Sequence, residues 1–396
     1  MVLSALVGSA RGNVVLGWGV ERIRAYCVWD NDNWNMTNPW DVDSGADAGQ
    51  NVSIAVIDSG VDYLTDDQGQ IHYHPDLAAN IAGGKGFLYL VEYLQILNAY
   101  DDEIGHGTEV IGVIAAVVNG LGANQSGIIG AAPKTHIWAL RTYGNRPQEI
   151  AAAINYSVDV LGVQIINISL QSDDNYSEIF TACNHALARG ALIFACSGNF
   201  PPGNGTITYP ALYNSVIAVG ATCENDSRAS FSNYGPKLCF MAPGFEINTT
   251  YGTTNHHFSY IVDNGTSFAA PHASATAALI WSSKVDPNFD FNHDGMWEND
   301  EVWAKMITTT LDLGPPGKDN ETGWGLVNAW LSYQRPIGDI NNNNVVDGTD
   351  LSIVASAFGS WPGSPRWDPR ADVDIDEVVD GTDMAIIARH FGEGDP

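Results

Sequence analysis

Through most of its length the chain alternates short apolar runs with stretches of helical periodicity. Runs at 53–57, 136–141, 164–170, 191–196 and 215–219 predict buried strands, and spacings of three and four predict helices over 107–118, 149–159 and 176–189. Strand and helix in alternation predict a mostly parallel sheet covered by helices on both faces, an α/β fold. Ligands of such a sheet gather at the carboxyl ends of its strands, where Asp58 and Asn199 fall. A helix of small residues is predicted after the turn at Gly265 and Thr266. Pro271 is read as lying in its first turn, where a missing N–H breaks no intrahelical bond. Residues 14–50 carry Trp18, Trp29, Trp34 and Trp40 without a clear period and read as an arm that packs across the sheet.

Past residue 335 the chain repeats itself. Segments 339–350 and 372–383 share the frame Asp-x-(Asn/Asp)-x-(Asn/Asp)-x-Val-Val-Asp-Gly-Thr-Asp, and each runs into an apolar helix that ends Phe-Gly, at Phe358 and Phe391. Neither half is long enough to bury its own helix, so the two helices are expected to pack on each other. A related loop lies at 290–301. Its first, third, fifth, ninth and twelfth positions are the oxygen donors Asp290, Asn292, Asp294, Glu298 and Glu301, and its sixth is Gly295. That is the pattern of an EF-hand calcium loop, in which the Met296 carbonyl would complete the set. The chain therefore divides into an arm (1–50), a main domain (51–335) and a small C-terminal module (336–396).

The 396 residues suffice for one large domain plus a small module. Charge adds an exclusion: 46 acidic against 17 basic residues give a net of -29, which repels nucleic acid and anionic membrane surfaces. No run approaches the 18 apolar residues of a membrane span. The apolar first ten residues lack a basic start and read equally as the stump of a signal peptide or as a plain arm. Of five cysteines, Cys223 and Cys239 flank the 224–238 loop and are the pair a disulfide would join; the alternative is that all are core residues.

Candidate chemistry sits at the element ends. Asp58 closes the first buried strand, His106 opens a helix, and Ser267 stands where the small-residue helix begins, facing free N–H groups and the positive end of its dipole. A serine in that place is also an ordinary helix cap. With the other two residues in view it reads as a nucleophile, and Asp, His, Ser is the chain order of subtilisin. A lipase or esterase would place its serine in GxSxG, whereas Ser267 stands in GTSFA.

The chain resembles the subtilisin-like serine proteases, or subtilases. The resemblance rests on DSG at 58–60, HGT at 106–108, SGN at 197–199 and GTSFAAPH at 265–272, with HPDL at 74–77 and MAPG at 241–244, and spans roughly residues 15–335. It implies a subtilisin-like three-layer fold and hydrolysis of polypeptide substrates. Asp58 would be the orienting carboxylate, His106 the general base, Ser267 the nucleophile and Asn199 the side-chain donor to the oxyanion. Ser169, Leu170, Ser197 and Gly198 would bind substrate, held as an added strand. Two positions depart from the family's habit: Gln171 stands where glycine is usual, at the mouth of the pocket for the residue preceding the scissile bond, and Glu109 stands where histidine is common. Glu109 is expected to point along its helix, near enough to raise the pKa of His106. A subtilase would also carry a pro-segment, which is not seen here, so the N-terminus is expected to be incomplete.

The C-terminal repeat resembles a type I dockerin, a small all-α module of paired loop-helix units. That resemblance implies calcium ligands at Asp339, Asn341, Asn343, the Val345 carbonyl, Asp347 and Asp350, and at Asp372, Asp374, Asp376, the Val378 carbonyl, Asp380 and Asp383. Asn344 and Glu377 replace the usual sixth-position glycine. It also implies a cohesin-like or cell-surface protein partner. The expectation is a secreted, calcium-stabilised serine endopeptidase with no organic cofactor; the alternative is a binding protein on an inactive subtilase scaffold.

Overall fold

The structure is a computed structural model and describes residues 14–29, 47–117, 127–200, 206–252, 258–333, 336–341, 345–362, 364–368, 370–373 and 378–393. Trp34, Trp40, Asn343, Asn344, Asp374, Asp376 and Glu377 lie outside them.

The N-terminal segment contributes β1 (Val14–Leu16), α1 (Trp18–Arg22) and α2 (Tyr26–Trp29). Then follow β2 (Ser53–Asp58), β3 (Tyr63–Thr65), β4 (Ile71–Tyr73), β5 (Ile81–Leu90), β6 (Tyr93–Leu97), α3 (His106–Ala115), β7 (Gly127–Ile129) and β8 (His136–Thr142). The middle of the chain forms α4 (Pro147–Asp159), β9 (Ile165–Ile168), α5 (Ser177–Ala188), β10 (Leu192–Cys196), β11 (Ile217–Thr222) and β12 (Leu238–Pro243). After the hairpin β13 (Ile247–Tyr251) and β14 (Ser259–Asp263) come α6 (Thr266–Ser282), α7 (Asn299–Thr308), α8 (Ala329–Tyr333), α9 (Gly348–Ala357) and α10 (Gly381–Arg389).

Eight strands form the central sheet in the order β12-β11-β10-β9-β2-β8-β5-β6. All neighbours run parallel except the β5–β6 hairpin. Period-two alternation divides each buried strand between two cores. Ile54 and Val56 of β2 face a cluster containing Val110, Ile111 and Ile114 of α3 and the alanines of α6. Ala55 and Ile57 face Ile150 and Ile154 of α4 and Ile179 of α5. The result is three layers, as the alternation predicts. The chain leaves β2 toward β5 and later returns to β9 on the other side, so the carboxyl ends of β2 and β9 make a switch point where a crevice opens.

Two sequence expectations are corrected. Because α6 begins at Thr266, Pro271 lies in its second turn, and its absent N–H would have bonded the Ser267 carbonyl. The Ser169 hydroxyl takes that carbonyl instead, at 2.8 Å. The Cys223–Cys239 disulfide does not form, and all five cysteines are free. β11 and β12 are parallel, so Leu238 lies beside Ala218 and Pro243 beside Thr222. Cys223 is thus about four residues farther along than Cys239, on the order of 13 Å at the usual strand rise. That is well beyond the reach of a disulfide.

In the C-terminal module α9 and α10 pack together over Ile340, Val346, Val354, Val373, Val379 and Ile387, and Leu331 of α8 packs against the same cluster.

Candidate active site

β2 ends by delivering Asp58 to the switch point, with its side chain buried. Its Oδ1 accepts from the Ser59 N–H at 2.7 Å and lies 2.8 Å from His106 Nδ1. Close backbone packing sets that distance. Gly107 of α3 lies over Gly60, and a Cβ on Gly107 would collide with the Gly60 carbonyl, while Gly60 itself has φ +115°. The glycines of DSG and HGT therefore serve the approach of the two backbones. Ser59 locks it further, accepting from the Gly107 N–H at 2.8 Å.

Asp102 braces the start of α3. Its Oδ1 accepts from Ile104 and Gly105 N–H, and its Oδ2 from the Thr108 N–H and hydroxyl, at 2.8–3.0 Å. Sequence reading missed both Ser59 and Asp102. The clue to the first lies inside DSG, whereas Asp102 sits beside Asp101 in what resembles a solvated acidic pair.

Ser267 occupies the second position of α6 and is buried but for 8%. The His106 ring lies 6.0 Å, centroid to centroid, from that of Phe268, so the imidazole stands over the helix start. The Ser267 hydroxyl donates to the Ser169 carbonyl at 3.4 Å, a long bond that leaves the oxygen free to turn.

Asn199 is oriented by Thr266, whose N–H and hydroxyl both donate to Asn199 Oδ1, at 2.8 and 2.7 Å. With its oxygen held, the amide presents Nδ2 as the donor beside Gly265. The Asn199 backbone N–H in turn donates to Gln171 Oε1 at 3.1 Å, so Gln171 reaches from the end of β9 to the turn after β10.

Three residues expected at the substrate face inward. Ser197 is fully buried, donating its N–H to Val219 and its hydroxyl to Asn233. Gly198 donates to the Thr266 hydroxyl and has φ +111°. Ser169 holds the Ser267 carbonyl. They brace the site, and only Leu170, half-buried at the end of β9, keeps an outward aspect.

Charge around His106 is concentrated. Burial alone would lower the His106 pKa, but the charge of Asp58 and the hydrogen bond to it prevail, with additions from Glu109 and Asp102, and the ring is raised to about 9. Glu109 is pushed up to about 8 by burial, against the pull of His106 and with the Asp263 carboxylate adding to the rise. Cys196, beneath the site, is pushed up to about 12 by burial and remains a thiol.

Among the described residues no cluster of three or more His, Cys, Asp or Glu side chains is assembled as a metal-ligand set. The described parts of the acidic loops nevertheless share one feature. In each, the twelfth-position carboxylate accepts from backbone N–H groups at the second and ninth positions: Glu301 from Phe291 and Glu298, Asp350 from Ile340 and Asp347, Asp383 from Val373 and Asp380. Gly295 makes the sixth-position turn at φ +74°, and Asp290 accepts from the Asp294 and Gly295 N–H groups. An all-oxygen donor set on a twelve-residue frame fits a hard cation of calcium's size. The helix after the first loop begins at Asn299, where Glu298 and Glu301 form a capping box.

Comparison with known proteins agrees with this construction. Residues 49–325 match the Subtilase family, and residues 337–392 match the Dockerin type I domain. Subtilisin Savinase of Lederbergia lenta is 34% identical over 316 residues, which are 79% of this chain and 96% of the relative. Thermitase of Thermoactinomyces vulgaris is 36% identical over 275 residues, 67% of this chain and 88% of the relative. The minor extracellular protease Epr of Bacillus subtilis (strain 168) is 36% identical over 304 residues, 75% of this chain and 41% of Epr.

Proposed function

The chain belongs to the subtilase family, and from that premise we propose that it is an extracellular serine endopeptidase acting through Asp58, His106, Ser267 and Asn199. The observation that carries this reading is the 2.8 Å contact between Asp58 Oδ1 and His106 Nδ1, at the switch point and over the helix start that holds Ser267. Neutral His106 takes the Ser267 proton as the oxygen attacks the scissile carbonyl. Asp58 fixes the ring tautomer and stabilises the imidazolium. The developing oxyanion is met by Asn199 Nδ2 and the Ser267 N–H, donors already aimed by Thr266 and by the helix. For subtilisin itself, loss of the corresponding asparagine costs about 100- to 1000-fold in turnover. His106 then returns its proton to the leaving amine.

The substrate would be a polypeptide laid as an added strand beside Leu170. Calcium would be held at residues 290–301 and in the two loops of the C-terminal module, where it would supply charge neutralisation to crowded carboxylates. The module would dock on a cohesin-like or cell-surface protein. The relative named as an extracellular protease supports an extracellular setting.

Labelling with a fluorophosphonate probe tests the reading: the chain should react, and Ser267→Ala should not. An unlabelled native chain would instead favour a binding protein on an inactive scaffold, the alternative to which the turned-away Ser267 hydroxyl gives some support.

A further inference from the structure

The C-terminal module does not merely follow the catalytic domain; it lies against it. Arg24, between α1 and α2, reaches into the second acidic loop, where its Nη2 lies 2.6 Å from Asp372 Oδ2. Only 7% of the Arg24 side chain and none of the Asp372 side chain is exposed. The guanidinium also lies 5.6 Å from the centre of the Trp367 ring and donates to the Tyr26 hydroxyl at 3.3 Å. Arg24 has φ +57°, a left-handed conformation uncommon for a residue with a side chain. Leu331 adds an apolar contact to the module's core.

Asp372 is the first donor of the loop at 372–383, so its carboxylate would serve two cations. We propose that this interdomain surface and calcium at the second loop oppose each other: Arg24 stands in for part of the cation's charge when the module is docked, and calcium loosens the docking. The physical basis is short. A guanidinium in contact with a ligand carboxylate competes for an oxygen and repels a divalent ion, and the repulsion is strong where water is excluded. Linkage makes the effect reciprocal, so whatever Arg24 takes from calcium affinity, calcium takes from docking.

The inference rests on reading residues 372–383 as a calcium loop, and the test separates the two. Calcium titrations by calorimetry would use the full chain carrying Ser267→Ala to prevent self-digestion. Arg24→Gln keeps length and a donor but removes the charge, and it should tighten one calcium site about tenfold, within the usual range of coupling between sites. Arg24→Lys should restore the weaker binding, and adding Asp383→Ala to Arg24→Gln should abolish the gain. In the reciprocal measurement, calcium should speed amide hydrogen exchange across residues 18–29, the segment that carries Arg24. Unchanged or weaker calcium binding in Arg24→Gln, or unchanged or slower exchange at 18–29, overturns the proposal and leaves the calcium reading standing. Calcium uptake that Asp383→Ala does not reduce overturns both.

Discussion

Glu109, one turn along α3 from His106, meets the Asp263 side chain carboxyl to carboxyl. Burial and the negative charge of Asp263 favour a proton on Glu109, so the group ionises only near pH 8, while His106 beside it is held up to about 9. Glu109 thus adds to the rise at His106, as the sequence led one to expect, and is itself held by a second acid.

The first prediction concerns rate against pH. His106 must be neutral to accept the serine proton, so kcat/KM should rise with pH through a midpoint near 9. Glu109→Gln removes a negative charge from beside the ring and should move the rising limb to lower pH. A limb that stays in place or moves up would show that Glu109 does not act on His106.

The same residue predicts a stability effect of definite sign. Its carboxyl is raised in the folded state from 4.5 to about 8, so its favourable contribution is whole below pH 4.5 and is lost as pH rises through 8. The melting temperature of Glu109→Gln should therefore gain on that of the native chain between pH 5 and pH 9. A gap that narrows over that interval contradicts the assignment.

Ser169→Ala should be costly out of proportion to its size. Its hydroxyl is the partner of the Ser267 carbonyl, which Pro271 deprives of a helical N–H. A buried acceptor left without a donor costs about 1–3 kcal/mol. Turnover should fall as well, because the helix start carrying the nucleophile loses its tether. Full stability and full turnover in this variant would remove Ser169 from the site.

How much of this was legible in the sequence depends on the range of the signal. Strands β2, β8, β9 and β10 lie within two residues of their predicted limits because an unbroken apolar run is a local property. The β5–β6 hairpin was missed. Gly83, Gly84 and Gly86 interrupt its hydrophobic pattern, and the fold requires them because the rings of Trp138, Tyr100 and Tyr143 lie where a Cβ would project. The positions of Asp58, His106 and Ser267 were readable since each ends or begins an element. The role of Ser169 was not, because it follows from where α6 starts relative to Pro271. Arg24 and Asp372 are 348 positions apart, and no local pattern joins them.

Gln171 predicts specificity. With its side chain bonded to the Asn199 N–H, it crosses the gap between the end of β9 and the turn after β10, which on the proposed reading is where the residue preceding the scissile bond inserts its side chain. Gln171→Gly should raise kcat/KM for peptide anilides ending in phenylalanine over those ending in alanine by roughly tenfold, the low end of what pocket shape achieves. An unchanged ratio would place the pocket elsewhere.

The last prediction concerns the loop at 290–301. Its polar groups fold onto its own backbone: Asp290 accepts from Asp294 and Gly295, Asn292 from Asp294, and Glu301 from Phe291 and Glu298. These bonds set the frame but leave negative charges close together. Partial loss of hydration, followed by the charges of Asp294, Glu301 and Asp300, raises the Glu298 pKa above its ordinary value. A divalent cation would relieve that repulsion, and one that binds only the folded chain stabilises it by mass action, about 2.7 kcal/mol at a hundredfold excess over Kd. In a domain of this size each kcal/mol moves the melting temperature by roughly 2–4 °C. Loss of the loop should be felt in the sheet, because α7 follows it directly and its Trp303 packs 5.2 Å, centroid to centroid, from Phe240 of β12. Chelator should therefore lower the melting temperature of the catalytic domain, and Asp290→Ala should lower it in calcium while leaving little further for chelator to remove. Equal melting of the native domain with calcium and with chelator would exclude a stabilising site here, whatever the two C-terminal loops bind.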